Sequence, residues 1–262
     1  RIKQINIMEE TSLLIYLAFF GVGCAASMLN SIAGGGSVFS LPIMIFLGLP
    51  PTIANGTNRI GLIVGNISSA YNLHRHGHLN KKILFQLALP SVLGALAGVF
   101  FVVRLNDKVF QAILAVAIAL VAIMSGLKKD ILGTPPLSPP EKCTKMGFLG
   151  FLLVAIYGSI VQVGVGFLQI FALRRYTGLE LIQVNALKNT LTTIFLIIST
   201  TGLAIAGKID WPLAIVTALG AYFGGFLSSL LQCKKGNKFI ERTVRIATVA
   251  VAIKMIYDVI AS

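Results

Sequence analysis

An internal repeat constrains the fold of this chain more than any other feature of its sequence. Residues 34–80 align without a gap to residues 164–210, an offset of 130 positions. The matched pairs include Gly34 with Gly164, Gly36 with Gly166, Asn55 with Asn185 and Gly77 with Gly207. Both copies are strongly apolar, so the repeat indicates a duplicated unit that is built for a membrane.

The composition supports this interpretation. Apolar residues make up 56% of the chain, charged residues make up 12%, and the mean hydropathy is +0.86. A soluble domain of this length has too little interior to bury so much apolar surface. The apolar runs are continuous stretches of about 20 residues rather than alternating segments of about 10, which predicts helices and not a barrel.

The apolar runs predict an all-α integral membrane protein with eight full spans. They lie at about 12–33, 53–73, 82–103, 108–127, 144–162, 181–204, 211–231 and 239–260. Two shorter runs, 37–49 and 166–175, follow glycine-rich breaks and are too short to cross a hydrocarbon core of about 30 Å, so we expect broken or re-entrant segments there.

Each copy then crosses the membrane an odd number of times, which predicts two inverted-topology repeats. We place the first repeat at 1–127 and the second at 144–262, joined by a proline-rich cytoplasmic linker at 128–143. Basic residues concentrate in loops of one face, such as the loop with Arg75 and Lys81. That face should be cytoplasmic, with both termini outside. The net charge of +13 is then a topology signal, and these short loops do not suggest nucleic-acid binding.

The glycine-rich breaks are the first candidate site. Three consecutive glycines stop a helix, and Ser37 is a plausible N-cap for the next one. A helix N-terminus at membrane depth offers free N–H groups and the positive end of a dipole, which suits an anion. The alternative is that the glycines only allow close helix packing. The candidate residues in the two breaks are Gly34, Gly35, Gly36, Ser37, Gln162, Gly164 and Gly166.

A polar stripe follows each break, on one face of the next predicted span. The first stripe holds Asn55, Asn58, Arg59 and Asn66, and the second holds Asn185, Lys188, Asn189 and Thr192. Under the 130-residue offset Arg59 aligns with Asn189, and Asn58 aligns with Lys188. The stripes therefore hold the same ingredients with cation and amide exchanged, which predicts an only approximately symmetric site.

The two cations need a partner. A Lys or Arg at a helix centre costs about 2.5–3.5 kcal/mol. All nine acidic residues lie in loops or near span ends in the sequence. An anionic ligand held between the stripes would supply the missing charge, with amides orienting its oxygens. The alternative is that Arg59 and Lys188 snorkel to an interface or bind backbone carbonyls.

Other function classes have weaker support. The sequence holds no Ser/His/Asp set, His-Glu-x-x-His motif or phosphate-binding lysine loop, so we predict neither an enzyme nor a cofactor. His74, His76 and His78 alternate in one loop and only faintly suggest metal binding. The alternative functions are a permease for another substrate, such as a divalent metal or another small anion, and a channel. Gly-x-x-x-Gly pairs begin at Gly94 and Gly220 and predict close helix crossings, within the chain or in a homo-oligomer.

Three pieces of sequence resemble a known family. Residues 30–37, 54–58 and 162–166, together with the duplication, are similar to the TauE/SafE family of sulfite and organosulfonate exporters, also called the toluene-sulfonate uptake permease group. The resemblance covers nearly the whole chain and also brings Thr57 into the candidate site. It implies a bacterial inner-membrane transporter of small sulfur-containing anions such as sulfite, sulfoacetate or thiosulfate. The resemblance implies export, and an inside-negative potential favours expelling a monoanion by about 2.3 kcal/mol per 100 mV, so export would need no coupling ion.

Overall fold

The computed structural model describes residues 2–127 and 145–260, with side chains described for residues 13–120 and 146–246. These residues form α-helices joined by short turns, and no strand occurs among them. The all-α prediction is therefore confirmed. The predicted linker at 128–143 lies outside the described residues.

Most helices begin and end close to the predicted apolar runs. The helices are α1 Ile2–Ala33, α2 Gly36–Phe46, α3 Pro51–Arg75, α4 Lys81–Val102, α5 Asp107–Leu127, α6 Lys145–Ile160, α7 Val165–Thr177, α8 Leu181–Ile205 and α9 Trp211–Ile260. Helix α1 begins ten residues before its run, and α9 covers the last two runs. Helix α9 is interrupted at Gly236, where φ is 66° and ψ is −163°. The two short apolar runs form the short helices α2 and α7, as the glycine breaks predict.

Four stretches are long and apolar enough to cross a membrane by length and composition, within the described side chains. They are Leu13–Ala33, Lys81–Val102, Leu181–Ile205 and Trp211–Ile246. Helix α3 has 25 residues but carries a stripe of asparagines and Arg59, which lowers its hydropathy. The count of eight spans and the inverted topology therefore stay predictions.

Helices α3 and α8 begin at aligned positions and end in similar turns. Pro51 opens α3 at the first helical position, where its missing N–H costs nothing. Glu180 opens α8 in a capping box with Gln183, which satisfies two N–H groups that the helix leaves unpaired. Each helix is followed by a glycine of positive φ, Gly77 at 79° and Gly207 at 68°. The repeat in the sequence is thus a repeat of local structure.

The two Gly-x-x-x-Gly pairs mark close helix crossings inside the chain. A Cβ on Gly94 would lie 2.6 Å from the carbonyl oxygen of Leu152, so α4 packs directly on α6. A Cβ on Gly224 would overlap the carbonyl oxygen of Cys24, so α9 packs directly on α1. The prediction of close crossings is confirmed. Helix α4 of the first half therefore packs on α6, the first helix of the second half, and α9 of the second half packs on α1, the first helix of the first half.

Candidate functional site

The two helix breaks cross one another at the centre of the fold. Helix α1 ends at Ala33 and α2 begins at Gly36, while α6 ends at Ile160 and α7 begins at Val165. A Cβ on Gly34 would overlap the backbone of Gly166, and a Cβ on Gly166 would overlap that of Gly34. Because α2 and α7 both begin beside this contact, two helix N-termini with unpaired N–H groups lie at the crossing.

The first break differs in one detail from the sequence prediction. Gly35 is the N-cap of α2, and its predicted N-cap, Ser37, lies inside the first helical turn. Gly36 packs closely on α1, since a Cβ there would overlap the carbonyl oxygen of Ala26. The buried hydroxyl of Ser37 has no hydrogen-bond partner in the described part of the chain.

Lys188 closes the C-terminal end of α1. Its side chain is 1% exposed, and Nζ donates to the carbonyl oxygens of Asn30 at 2.7 Å and Ser31 at 2.9 Å. Asn185, one turn earlier on α8, donates from Nδ2 to the carbonyl oxygen of Ile32 at 3.0 Å. The last carbonyls of a helix carry the negative end of its dipole, so a cation there is stabilised.

Arg59 closes the C-terminal end of α6 in the same way. Its side chain is fully buried, and Nη2 donates to the carbonyl oxygens of Ser159 at 2.7 Å and Ile160 at 3.1 Å. Nη1 donates to the hydroxyl of Ser199. Asn55, one turn earlier on α3, donates from Nδ2 to the carbonyl oxygen of Ile160 at 3.3 Å. A cation and an amide from each half therefore hold the broken helix of the other half.

These contacts resolve two points that the sequence left open. Both cations bind backbone carbonyls, which is the alternative that the sequence offered to a bound anion. Arg59 and Lys188 bind the end of a helix in the same way, although Arg59 aligns with Asn189 and not with Lys188. The cation therefore has the same role in both halves, at positions that differ by one residue in the alignment. Neither cation belongs to an ion pair among the side chains that are described.

A buried hydrogen-bond network surrounds the first break. Asn189 donates from Nδ2 to the hydroxyls of Ser31 at 3.1 Å and Ser69 at 2.9 Å. Gln232 donates from Nε2 to the hydroxyl of Ser31 at 3.1 Å and accepts from Asn185 at 2.8 Å. Sequence reasoning missed Ser69 and Gln232. The sequence signal for Gln232 is the polar run of Ser228, Ser229 and Gln232, which follows the largely apolar first part of α9 at helical spacing.

Several buried donors on the predicted site residues have no hydrogen-bond partner within the described residues. They are Asn58 Nδ2, Arg59 Nε and Ser37 Oγ. The amide oxygens of Asn55, Asn185, Asn189 and Gln162 are unpaired as well. Such groups are costly to bury, and a ligand that both accepts and donates hydrogen bonds would satisfy them.

The structure brings some of the predicted site residues into contact. Gly34 lies against Gly166, and Lys188 with Asn185 and Arg59 with Asn55 bind the ends of the two helices that precede the breaks. Gln162 adopts a left-handed backbone with φ of 58° and donates from Nε2 to the carbonyl oxygen of Asn55 at 3.4 Å. Thr57 instead accepts from the backbone N–H of Asp210 at 3.0 Å, where it holds the turn before α9.

The described side chains contain no group of three or more His, Cys, Asp or Glu residues placed to hold a metal ion. In the histidine loop, the ring Nδ1 of His76 lies 2.8 Å from the carbonyl oxygen of Asn72, next to the end of α3. One histidine of the loop that suggests a metal permease therefore contacts the C-terminal end of α3.

Long apolar helices around a buried polar crossing of two broken helices define a multi-pass membrane transporter. Comparison with known proteins names the family. The family model described as "Sulfite exporter TauE/SafE" matches residues 19–255. The chain therefore belongs to the TauE/SafE family.

Curated relatives agree on the class of protein. A "Probable membrane transporter protein ORF9" of Sinorhizobium sp. is 28% identical over 258 residues, covering 96% of each chain. A "Probable membrane transporter protein" of Haemophilus influenzae is 25% identical, covering 91% of this chain and 93% of the relative. "Probable membrane transporter protein YfcA" of Escherichia coli K12 is 25% identical, covering 98% and 95%. No solved structure matches the chain.

Proposed function

We propose that this transporter moves small sulfur-containing oxyanions, such as sulfite or organosulfonates, across the bacterial inner membrane by alternating access between two inverted halves. The anion binds where the two breaks cross, between the N-termini of α2 and α7. The observation that carries the proposal is the set of buried donors without a described partner on Asn58, Arg59 and Ser37, together with two buried cations that have no acidic partner among the described side chains.

The charge at the centre favours an anion. Arg59 and Lys188 are basic, and neither is paired with an acidic side chain among the described residues. The N-termini of α2 and α7 each add the positive end of a helix dipole. Basic side chains and helix N-termini favour a small anion. They would repel a divalent metal ion.

The hydrogen-bonding groups favour an oxyanion over a halide. Sulfite and sulfonates present three oxygens, which suit the separate donors of Asn58, Arg59 and Ser37. The unpaired amide oxygens, Asn55 among them, can accept from a protonated form such as hydrogen sulfite. The family description names sulfite, and the donor set supports that class of substrate.

The proposed direction is export. A monoanion leaves the cytoplasm down the inside-negative potential, with a gain of about 2.3 kcal/mol per 100 mV. No additional coupling ion is then required for net export. The two glycines that touch at the crossing, Gly34 and Gly166, are the proposed point about which the halves rock.

Flux through proteoliposomes tests the proposal. Vesicles with purified protein are loaded with labelled sulfite, sulfoacetate, chloride or a divalent metal, and release is followed over time. We expect release of the sulfur oxyanions and little release of chloride or metal. Transport of the metal in place of the anions would instead support the metal-permease alternative, and the proposed substrate class would be wrong.

A matched pair of serine variants locates the site. Ser37→Ala removes a hydroxyl that has no hydrogen-bond partner among the described residues, so folding should be unchanged. KM for sulfite should rise about tenfold or more, because a hydrogen bond to a charged group contributes about 1.5–3 kcal/mol. Ser228→Ala is the control, since this buried hydroxyl donates to the carbonyl oxygen of Gly225 on its own helix. Equal KM values for the two variants and the unaltered protein would place the anion elsewhere.

A further inference from the structure

We infer that Lys188 and Arg59 are tethered cations, held in two carbonyl sites that would otherwise bind a free coupling cation, so that anion transport needs neither sodium nor potassium. The inference has two parts. The first part, called the binding arm, is that each carbonyl site holds a cation, and it can be tested without transport. The second part, called the transport arm, is that anion transport needs no sodium or potassium, and it rests on the proposed function.

The geometry is that of a monovalent cation site. Broken helices in transporters expose carbonyl groups at the C-terminal end of the first half-helix, and these groups commonly coordinate the co-transported ion. Here the carbonyl oxygens of Asn30 and Ser31 lie 2.7 and 2.9 Å from Nζ of Lys188. The amide of Asn185 donates to the next carbonyl oxygen, that of Ile32. The ammonium group of Lys188 is therefore the cation of this site.

The second site repeats the arrangement with a different cation. The carbonyl oxygens of Ser159 and Ile160 lie 2.7 and 3.1 Å from Nη2 of Arg59. The planar guanidinium also reaches the hydroxyl of Ser199, which a compact ammonium group could not do at the same time. The two sites therefore have different shapes, and each should prefer the small cation that matches its own side chain.

Tethering has a consequence for coupling. A free ion must be bound and released in every cycle, and its gradient can drive transport. A side chain stays with the protein, so Lys188 and Arg59 stabilise the helix ends without leaving. No other buried charge is present to hold an ion within the described side chains, where the single ion pair joins the exposed Arg245 and Glu241. The charge moved per cycle is then that of the substrate alone.

Truncation followed by chemical rescue tests the binding arm. Lys188→Ala and Arg59→Ala each open a cavity in front of a set of carbonyls, and both variants should unfold at a lower temperature. Millimolar methylammonium should restore much of the lost thermal stability of Lys188→Ala, and millimolar guanidinium should do so for Arg59→Ala. Crossed additions should give the smaller recovery. Lys188→Met is the control, because its apolar chain fills the cavity and should show no response to methylammonium.

Ion replacement tests the transport arm on the unaltered protein. Sulfite flux should be unchanged when all sodium and potassium are replaced by N-methyl-D-glucamine. A loss of flux on replacement would overturn the inference, and so would Ala variants that respond equally to both cations or to neither. If either Ala variant cannot be purified folded, the ion replacement decides alone. Unaltered protein that carries no sulfur oxyanion would contradict the proposed function, and the thermal measurements would then decide the inference.

Discussion

The contact between Gly34 and Gly166 makes a quantitative prediction about the crossing of the two breaks. Gly34 has φ of 81° and lies against the backbone of Gly166, whereas Gly77 has φ of 79° and nothing within 4 Å of the position of a Cβ. The two glycines thus share a conformation and differ in packing. Gly34→Ala and Gly77→Ala form a matched pair that separates backbone strain from the crossing.

Backbone strain and overpacking together determine how much stability each variant should lose. An alanine in the left-handed region costs about 1–2 kcal/mol, and both variants bear this cost. Gly34→Ala adds an overlap with the backbone of Gly166, and overpacking of this kind costs about 1–3 kcal/mol more. We expect Gly34→Ala to lower the free energy of unfolding by about 2–5 kcal/mol and Gly77→Ala by about 1–2 kcal/mol.

The assay is unfolding of purified protein in mixed micelles, followed by loss of helical circular dichroism with increasing denaturing detergent. Sulfite flux measured in parallel should fall for Gly34→Ala and stay near the unaltered level for Gly77→Ala. Equal losses of stability in the two variants, or flux that survives Gly34→Ala unchanged, would refute the claim that the breaks meet at this contact.

Three further predictions use the same unfolding assay. Gln232→Leu should lose about 1–3 kcal/mol of stability, because it removes the acceptor of an Asn185 N–H and a donor to the Ser31 hydroxyl, and an unchanged unfolding curve would argue against that network. Gly224→Val should separate α9 from α1 and cost more than Gly21→Val, which has open space around its Cβ position; the reverse order would contradict the crossing. Ser199→Ala removes an acceptor of Arg59 and should cost about 1.5–3 kcal/mol, whereas a neutral result would mean that the guanidinium does not depend on this hydroxyl.

The sequence predicts the local features of this fold well. Apolar runs and glycines locate the helices and both breaks because these signals act over a few residues. The bounds of α3, Pro51–Arg75, differ from the predicted run at 53–73 by only two residues at each end. The sequence predicts Ser37 as the N-cap of α2, whereas the helix begins at Gly36 with Gly35 as its N-cap.

Long-range partners were harder to predict. Lys188 and the carbonyls it binds are separated by more than 150 positions, and nothing local in the sequence indicates that contact. The carbonyl groups themselves carry no sequence signal, because every residue has one. The spacing of Asn55 to Arg59 and of Asn185 to Lys188, about one helical turn in each half, is the pattern that could have suggested paired caps for helix ends.

Binding of sulfite to the purified protein tests the central claim most directly. Titration calorimetry should show one sulfite bound per chain, with Ser228→Ala unchanged. Asn58→Asp places a carboxylate where an unpaired donor now lies, and it should weaken binding more than tenfold, since like charges in a buried site repel. Affinity for sulfite that is the same in Asn58→Asp as in the unaltered protein would contradict an anion site at the crossing of the two breaks.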